Sequence, residues 1–168
     1  MSNRPRRKWR WAVAVLGAGA AASAHAGSLA LIVNGYSIHF DKPANQELND
    51  ANWGLGLQYE FDLLDHKWLP LLTAGGFRDS NFNPSYYAGG GFARRFGFGP
   101  DRPDHLDIGV VAFVMTRESY RHGRPFVAAL PYVSWGTERI ALNMTYVPQV
   151  DTRIVPALFF QLKIGLGG

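Results

Sequence analysis

The sequence contains no cysteine among its 168 residues. A disulfide framework and a thiolate metal site are therefore both excluded. Charged residues are scarce at 18%, whereas aromatic residues reach 14%, and this combination is unusual for a soluble domain. The length is that of a single domain.

The first 26 residues have the composition of a secretory signal. Five basic residues precede position 11, an apolar stretch rich in Ala and Gly follows, and Ala24-His25-Ala26 supplies small residues for cleavage. We predict that residues 1–26 are removed before Gly27. A retained transmembrane anchor is the alternative, although the apolar stretch is short for that role.

The positive net charge of the chain comes from the basic residues of this signal. The formal net charge is +4, but removing the 5 basic residues of the signal from 17 leaves 12 against 13 acidic residues, a net charge of −1. A nucleic-acid partner therefore loses its main electrostatic support.

No later segment offers about 18 uninterrupted apolar residues, and helical periodicity is weak. Instead, apolar or alternating runs of about ten residues recur between stretches of polar residues. Alternation with a period of two is typical of strands with one apolar face. The eight runs span residues 28–40, 52–61, 68–77, 85–96, 106–116, 125–135, 138–147 and 157–166.

Three features favour a membrane barrel over a soluble periplasmic β domain, which is the alternative. The signal exports the chain, strands of about ten residues span a bilayer when tilted by about 45°, and aromatic residues gather at the strand ends as interfacial girdles do. We therefore predict that residues 27–168 form an all-β fold, an eight-stranded antiparallel transmembrane β-barrel of the outer membrane. Its odd-numbered loops would face outward, at residues 41–51, 78–84, 117–124 and 148–156.

Three polar residues at predicted outer strand ends are candidates for catalysis. His39 shares strand parity with Ser37, while larger residues occupy the opposite parity, so we expect its imidazole to face the lumen. Asp79 and Ser80 follow the third run. His, Asp and Ser brought together would suit acyl transfer, with His39 as general base. The alternatives are a solvated histidine and ordinary turn residues.

Proline and glycine mark two further features of the predicted strands. Pro131 interrupts the sixth run and Pro148 ends the seventh, and each lacks the N–H needed by a strand ladder. Such gaps could admit a lipid chain sideways, or could simply end a strand. Gly89-Gly90-Gly91 in the fourth run could leave room for a ligand or allow tight curvature.

Several short motifs along the chain resemble the PagP family, the lipid A palmitoyltransferases of Gram-negative outer membranes. The two most specific lie at the ends of the third and seventh runs. The resembling segments are Trp53-Gly54-Leu55-Gly56, Phe77-Arg78-Asp79-Ser80, Ala88-Gly89-Gly90-Gly91, Leu130-Pro131 and Asn143-Met144-Thr145-Tyr146-Val147-Pro148.

The resemblance implies a barrel that moves a palmitoyl-like chain from a phospholipid donor to lipid A in the outer membrane. His39, Asp79 and Ser80 match the active residues of the family, and Gly91 matches the glycine that floors its acyl pocket. Pro131 and Pro148 match prolines that lie beside the lateral openings of the family's barrel. We further expect a monomer with no metal, no cofactor and no nucleic-acid partner.

The first outer loop departs from the family pattern because it is short. Alignment on Asp41-Lys42 and Trp53 places the family histidine near Gly35, four residues before His39. A second interpretation is therefore a non-enzymatic small outer-membrane barrel that binds lipid or stabilises the envelope.

Overall fold

The computed structural model describes residues 27–41, 47–61, 67–151 and 154–167. The predicted signal peptide lies outside the described residues, as do parts of three connections between strands. Within the described ranges, no helix is long and apolar enough to cross a membrane.

Eight antiparallel strands form a closed barrel, in which each strand pairs with its sequence neighbours and the last pairs with the first. The predicted closed barrel is confirmed. The strands are β1 (Ser28–His39), β2 (Ala51–Glu60), β3 (Trp68–Arg78), β4 (Pro84–Gly97), β5 (His105–Met115), β6 (Phe126–Gly136), β7 (Ile140–Val147) and β8 (Ala157–Gly165).

The strands place apolar side chains outside and polar ones inside, the reverse of a soluble domain. On β2, Trp53 and Leu55 expose 67% and 61% of their surface, while Gln58 and Glu60 on the opposite face are buried. On β8, Lys163 is only 2% exposed. The period-two alternation of the sequence therefore separates an apolar outer surface from a polar lumen.

A β-bulge in β1 changes which residues face the lumen. The ladders to β2 and to β8 both shift register between Asn34 and Tyr36. Against β8, Gly35 is an extra residue of β1, whereas against β2 the extra residue lies on β2. Ile32 and Asn34 are buried before the shift, and Ser37 is buried after it. Inward-facing positions therefore change from even to odd numbers, which directs the His39 side chain inward.

The two ends of the lumen differ in chemistry. We call the end where β1 stops and β2 starts the site rim, and the other end the opposite rim. Toward the opposite rim, Lys163 Nζ lies 2.6 Å from Glu60 Oε1, and Arg95 makes two bonds of 2.9 and 3.0 Å to Asp107. These buried ion pairs fill the lumen there and balance one another's charges.

The ladder between β6 and β7 is short. It joins residues 132–136 to residues 141–145, whereas β6 pairs with β5 along its full length. Within the described chain, residues 126–131 of β6 therefore pair with β5 alone. We call this gap between β6 and β7 the seam, and it opens toward the site rim.

Candidate active site

His39 ends β1 at the site rim, and its imidazole joins two other side chains. Nε2 lies 2.8 Å from Ser80 Oγ, and Nδ1 lies 2.7 Å from Asp50 Oδ1. The imidazole is 1% exposed, whereas the Asp50 side chain is 32% exposed. Three residues from β1, the first loop and the third loop thus form one hydrogen-bonded chain.

This arrangement defines the roles of both imidazole nitrogens. An ionised carboxylate only accepts hydrogen bonds, so Nδ1–H donates to Asp50. Nε2 is then free to accept the hydroxyl proton of Ser80. That is the hydrogen-bond pattern of a serine activated by a positioned histidine.

Asp79 is next to Ser80 but its carboxylate has other partners. Oδ1 accepts the backbone N–H groups of Asn81 and Asn83 at 2.9 and 3.0 Å, and Oδ2 accepts the Ser85 hydroxyl at 3.1 Å. Its side chain is fully buried. Asp79 therefore organises the turn that presents Ser80, and the structure places Asp50 against His39 instead.

Asparagine side chains hold the first and third loops together. Asn49 donates its backbone N–H to the Ser80 carbonyl at 2.8 Å and its amide to the Asp79 carbonyl at 3.1 Å. Asn52 donates to the Arg78 carbonyl at 2.9 Å. These bonds fix the position of Asp50 relative to Ser80.

Arg117, on the fifth loop, faces Asp79 from across the site rim. Its Nε lies 3.7 Å from Asp79 Oδ2, which is an ion pair but too long for a hydrogen bond. No hydrogen-bond partner for this buried nitrogen occurs among the described residues. Burial lowers the pKa of Arg117, an effect that Asp79 opposes.

An apolar cavity of about 320 Å³ runs from the site rim into the barrel. Ser80 and Arg117 lie at its mouth, and Val111 and Tyr132 line it more deeply. It also reaches Val127, which exposes 76% of its surface on the outside of the barrel. The cavity therefore extends from the site rim to the seam.

The other residues predicted for the site have distinct positions. Pro131 lies on β6 at the lower end of the seam, and Pro148 follows β7 and lines the cavity. Gly91 pairs with Val111, which lines the cavity. A Cβ on Gly91 would overlap the Val110 carbonyl, so close approach of β4 and β5 requires glycine there.

Sequence reasoning missed Asp50, Asn49 and Arg117, because each lies just outside an alternating run. No pattern in the sequence marks Asp50, whose position depends on a backbone contact between the first two strands. The Ser37 N–H donates to the Asp50 carbonyl at 2.8 Å, so the start of β2 is held beside the end of β1. Among the described residues, no group of three His, Asp or Glu could hold a metal ion.

The fold and the site together define a class, namely a small closed β-barrel with an Asp-His-Ser hydrogen-bond chain at the mouth of an apolar cavity. Within that class, residues 24–160 match the family model described as "Antimicrobial peptide resistance and lipid A acylation protein PagP". The chain belongs to the PagP family, and the resemblance noted from its motifs is confirmed.

One curated relative and one solved structure show further similarity. "Lipid A acyltransferase PagP" of Laribacter hongkongensis (strain HLHK9) is 36% identical over 110 residues, which are 65% of this chain and 51% of the relative. The chain thus spans about half the length of that relative. The Yersinia pestis outer membrane protein Ail in a phospholipid bilayer nanodisc is 10% identical with a TM-score of 0.43, covering 83% of this chain and 99% of Ail.

Proposed function

We propose that this protein is an outer-membrane acyltransferase that moves a palmitoyl-like chain from a phospholipid to lipid A. The observation that carries the proposal is the apolar cavity that begins at the His39–Ser80 hydrogen bond. Such a cavity can hold a hydrocarbon chain with its ester carbonyl beside an activated hydroxyl. Membership of the PagP family supports the same reaction.

An outer-membrane location of a Gram-negative cell is supported by the surface of the barrel. Large apolar side chains on β3, β4, β5 and β7 are half exposed or more, including Leu72 at 54%, Phe92 at 59% and Ile140 at 59%. A continuous apolar exterior of this kind is unfavourable in water and favourable in lipid. A monomer fits this proposal because all eight strands close into one barrel, so that only the seam leaves a strand edge unpaired in the part of the chain that the structure describes.

Each site residue has a part in the proposed reaction. His39 removes a proton from the attacking hydroxyl, and Ser80 lies where the donor ester would be held. Asp79 keeps the Ser80 turn in place, and Arg117 supplies positive charge at the cavity mouth. The donor lipid would enter through the seam, between Pro131 and Pro148.

Lipid A masses in a host outer membrane lacking such an enzyme test this function. Cells expressing the native chain should gain lipid A heavier by one acyl group. The gain should be lost in the His39→Ala and Ser80→Ala variants, provided both still assemble as folded barrels. A matched control is Glu47→Gln, an exposed residue of the first loop away from the described contacts.

Two results would contradict the proposal. One is an assembled native barrel that leaves lipid A unchanged under several envelope stresses. The other is acylation that persists in the His39→Ala variant. The first result would instead favour the alternative, a non-enzymatic barrel that binds lipid or stabilises the envelope.

A further inference from the structure

We propose that Asp50 is the positioning residue for His39, and that the chain from Asp50 through His39 makes Ser80 a covalent nucleophile. This inference rests on the proposed acyl transfer for its substrate. It goes further by identifying Asp50 as the carboxylate that orients His39, and by dividing the reaction into two steps. Neither the sequence motifs nor the family match points to Asp50.

The contact between Asp50 and His39 has the length of a charge-assisted hydrogen bond. Its 2.7 Å separation joins a carboxylate to an imidazole that is 1% exposed. Water cannot stabilise an imidazolium buried to that extent, so a fixed neighbouring charge must do so. Asp50 supplies that charge and holds the ring in the tautomer that accepts from Ser80.

Asp50 is also held in place by the backbone around it. Its carbonyl accepts the Ser37 N–H at 2.8 Å, and the preceding Asn49 is bonded to the carbonyls of Asp79 and Ser80. The backbone of Asp50 is therefore held beside the end of β1, within reach of His39. Asp79 does not orient His39, since its carboxylate oxygens accept hydrogen bonds from the third loop and from Ser85.

The first step forms an ester on the enzyme. Ser80 Oγ attacks the carbonyl carbon of the donor ester while His39 Nε2 takes the hydroxyl proton. The bond between that carbon and the glycerol oxygen then breaks, and the oxygen takes the proton from Nε2. A lysophospholipid leaves, and the acyl group remains on Ser80 Oγ.

The second step returns the enzyme to its starting state. A hydroxyl of lipid A gives its proton to His39 Nε2 and attacks the acyl carbon. The bond from that carbon to Ser80 Oγ breaks, and Oγ recovers the proton. Lipid A gains the acyl group, and no oxidant, metal or further reactant is needed.

Labelling of Ser80 by an alkyl fluorophosphonate, followed by intact mass, tests the covalent part in detergent-solubilised full-length barrel. The native protein should take up one label on Ser80. Asp50→Asn should slow labelling by up to roughly 10⁴-fold, the loss that the wrong histidine tautomer causes in serine proteases. Asp50→Glu should retain part of the rate, and the control Glu47→Gln should match the native protein.

The histidine tautomer is a second measurement that a merely structural role would not change. Nitrogen resonances of isotope-labelled histidine should show His39 with its proton on Nδ1 in the native barrel, and on Nε2 to a large extent in Asp50→Asn. A native His39 protonated on Nε2 would overturn the assignment even if the Asp50→Asn variant failed to fold. An unlabelled native Ser80 would overturn the covalent step.

This test separates the inference from the proposed function. Labelling that depends on Asp50 without any lipid A acylation would reject the acyl transfer to lipid A and keep the hydrogen-bonded chain. Lipid A acylation at the native rate in Asp50→Asn would reject Asp50 and keep the acyltransferase.

Discussion

Asp50 and Asp79 both lie at the site rim, and their surroundings give them different roles. Asp50 is one-third exposed and contacts His39, whereas Asp79 is fully buried and accepts two hydrogen bonds from the third loop and one from Ser85. Loss of a partly exposed carboxylate costs little folding energy. Loss of a buried one leaves its partners unpaired. Substitutions at the two positions should therefore affect different measurements.

Asp79→Asn should destabilise the protein, because Arg117 then keeps a buried charge without its counterion. We expect a loss of about 3 kcal/mol in the free energy of unfolding. The free energy of unfolding is measured by urea titration in lipid vesicles, with tryptophan fluorescence as the signal. The double variant Asp79→Asn/Arg117→Gln should recover part of the loss, and Asp50→Asn should unfold like the native barrel. An Asp79→Asn protein of native stability that is inactive would instead indicate a chemical role for Asp79.

The sequence allowed His39 and Ser80 to be predicted as neighbours but not their link to Asp50. Strand parity and motifs locate residues on strands, since alternation has a fixed period. A loop residue follows no period, so its contacts depend on how the loop is folded. Asp50 is placed by Asn49 and by the Ser37 N–H, and neither bond leaves a pattern in the sequence.

At the scale of elements, strand limits were predicted well because each strand separates two unlike environments. The third run was expected at 68–77 and β3 spans Trp68–Arg78, and the eighth was expected at 157–166 and β8 spans Ala157–Gly165. The bulge at Gly35 was not predicted, because a single extra glycine barely disturbs the pattern of large residues. Its effect is considerable, since it reverses the inward parity of β1 before His39.

The seam is also an element-scale feature, and it can be tested with single cysteines because the chain has none of its own. Val127 lines the cavity from the outer face of β6, and Val114 is its direct partner on β5. Val114 is 50% exposed and does not line the cavity. A bulky maleimide on Val127→Cys should therefore block lipid entry, whereas the same label on Val114→Cys should not.

We expect the label on Val127→Cys to slow lipid A acylation at least about tenfold, which corresponds to about 1.4 kcal/mol in the activation barrier. The measurement is acyl transfer from phosphatidylcholine to lipid A in mixed detergent micelles, before and after labelling of each variant. Equal inhibition at both positions would mean that lipid does not enter between β6 and β7.

At the scale of the whole molecule, the barrel divides into a reactive half and a supporting half. The half at the site rim contains the cavity, the seam and the loops that hold the Asp-His-Ser chain. The other half contains buried ion pairs and the hydrogen bonds that Tyr132 makes with Gln58 and Asn143. Because β2 alone spans roughly 30 Å, groups at its two ends should contribute independently to stability and activity.

Lys163→Met tests this independence, because it removes the partner of Glu60 at the end far from the site. Glu60 is 7% exposed, so its charge would be left uncompensated in the lumen apart from Arg95 at 3.5 Å. We expect a loss of about 3–5 kcal/mol in the free energy of unfolding, and recovery of most of it in Lys163→Met/Glu60→Leu. Acyl transfer per folded molecule should match the native value in both variants. A fall in that specific activity without a fall in stability would show that the ion pairs at the opposite rim also set the geometry around His39.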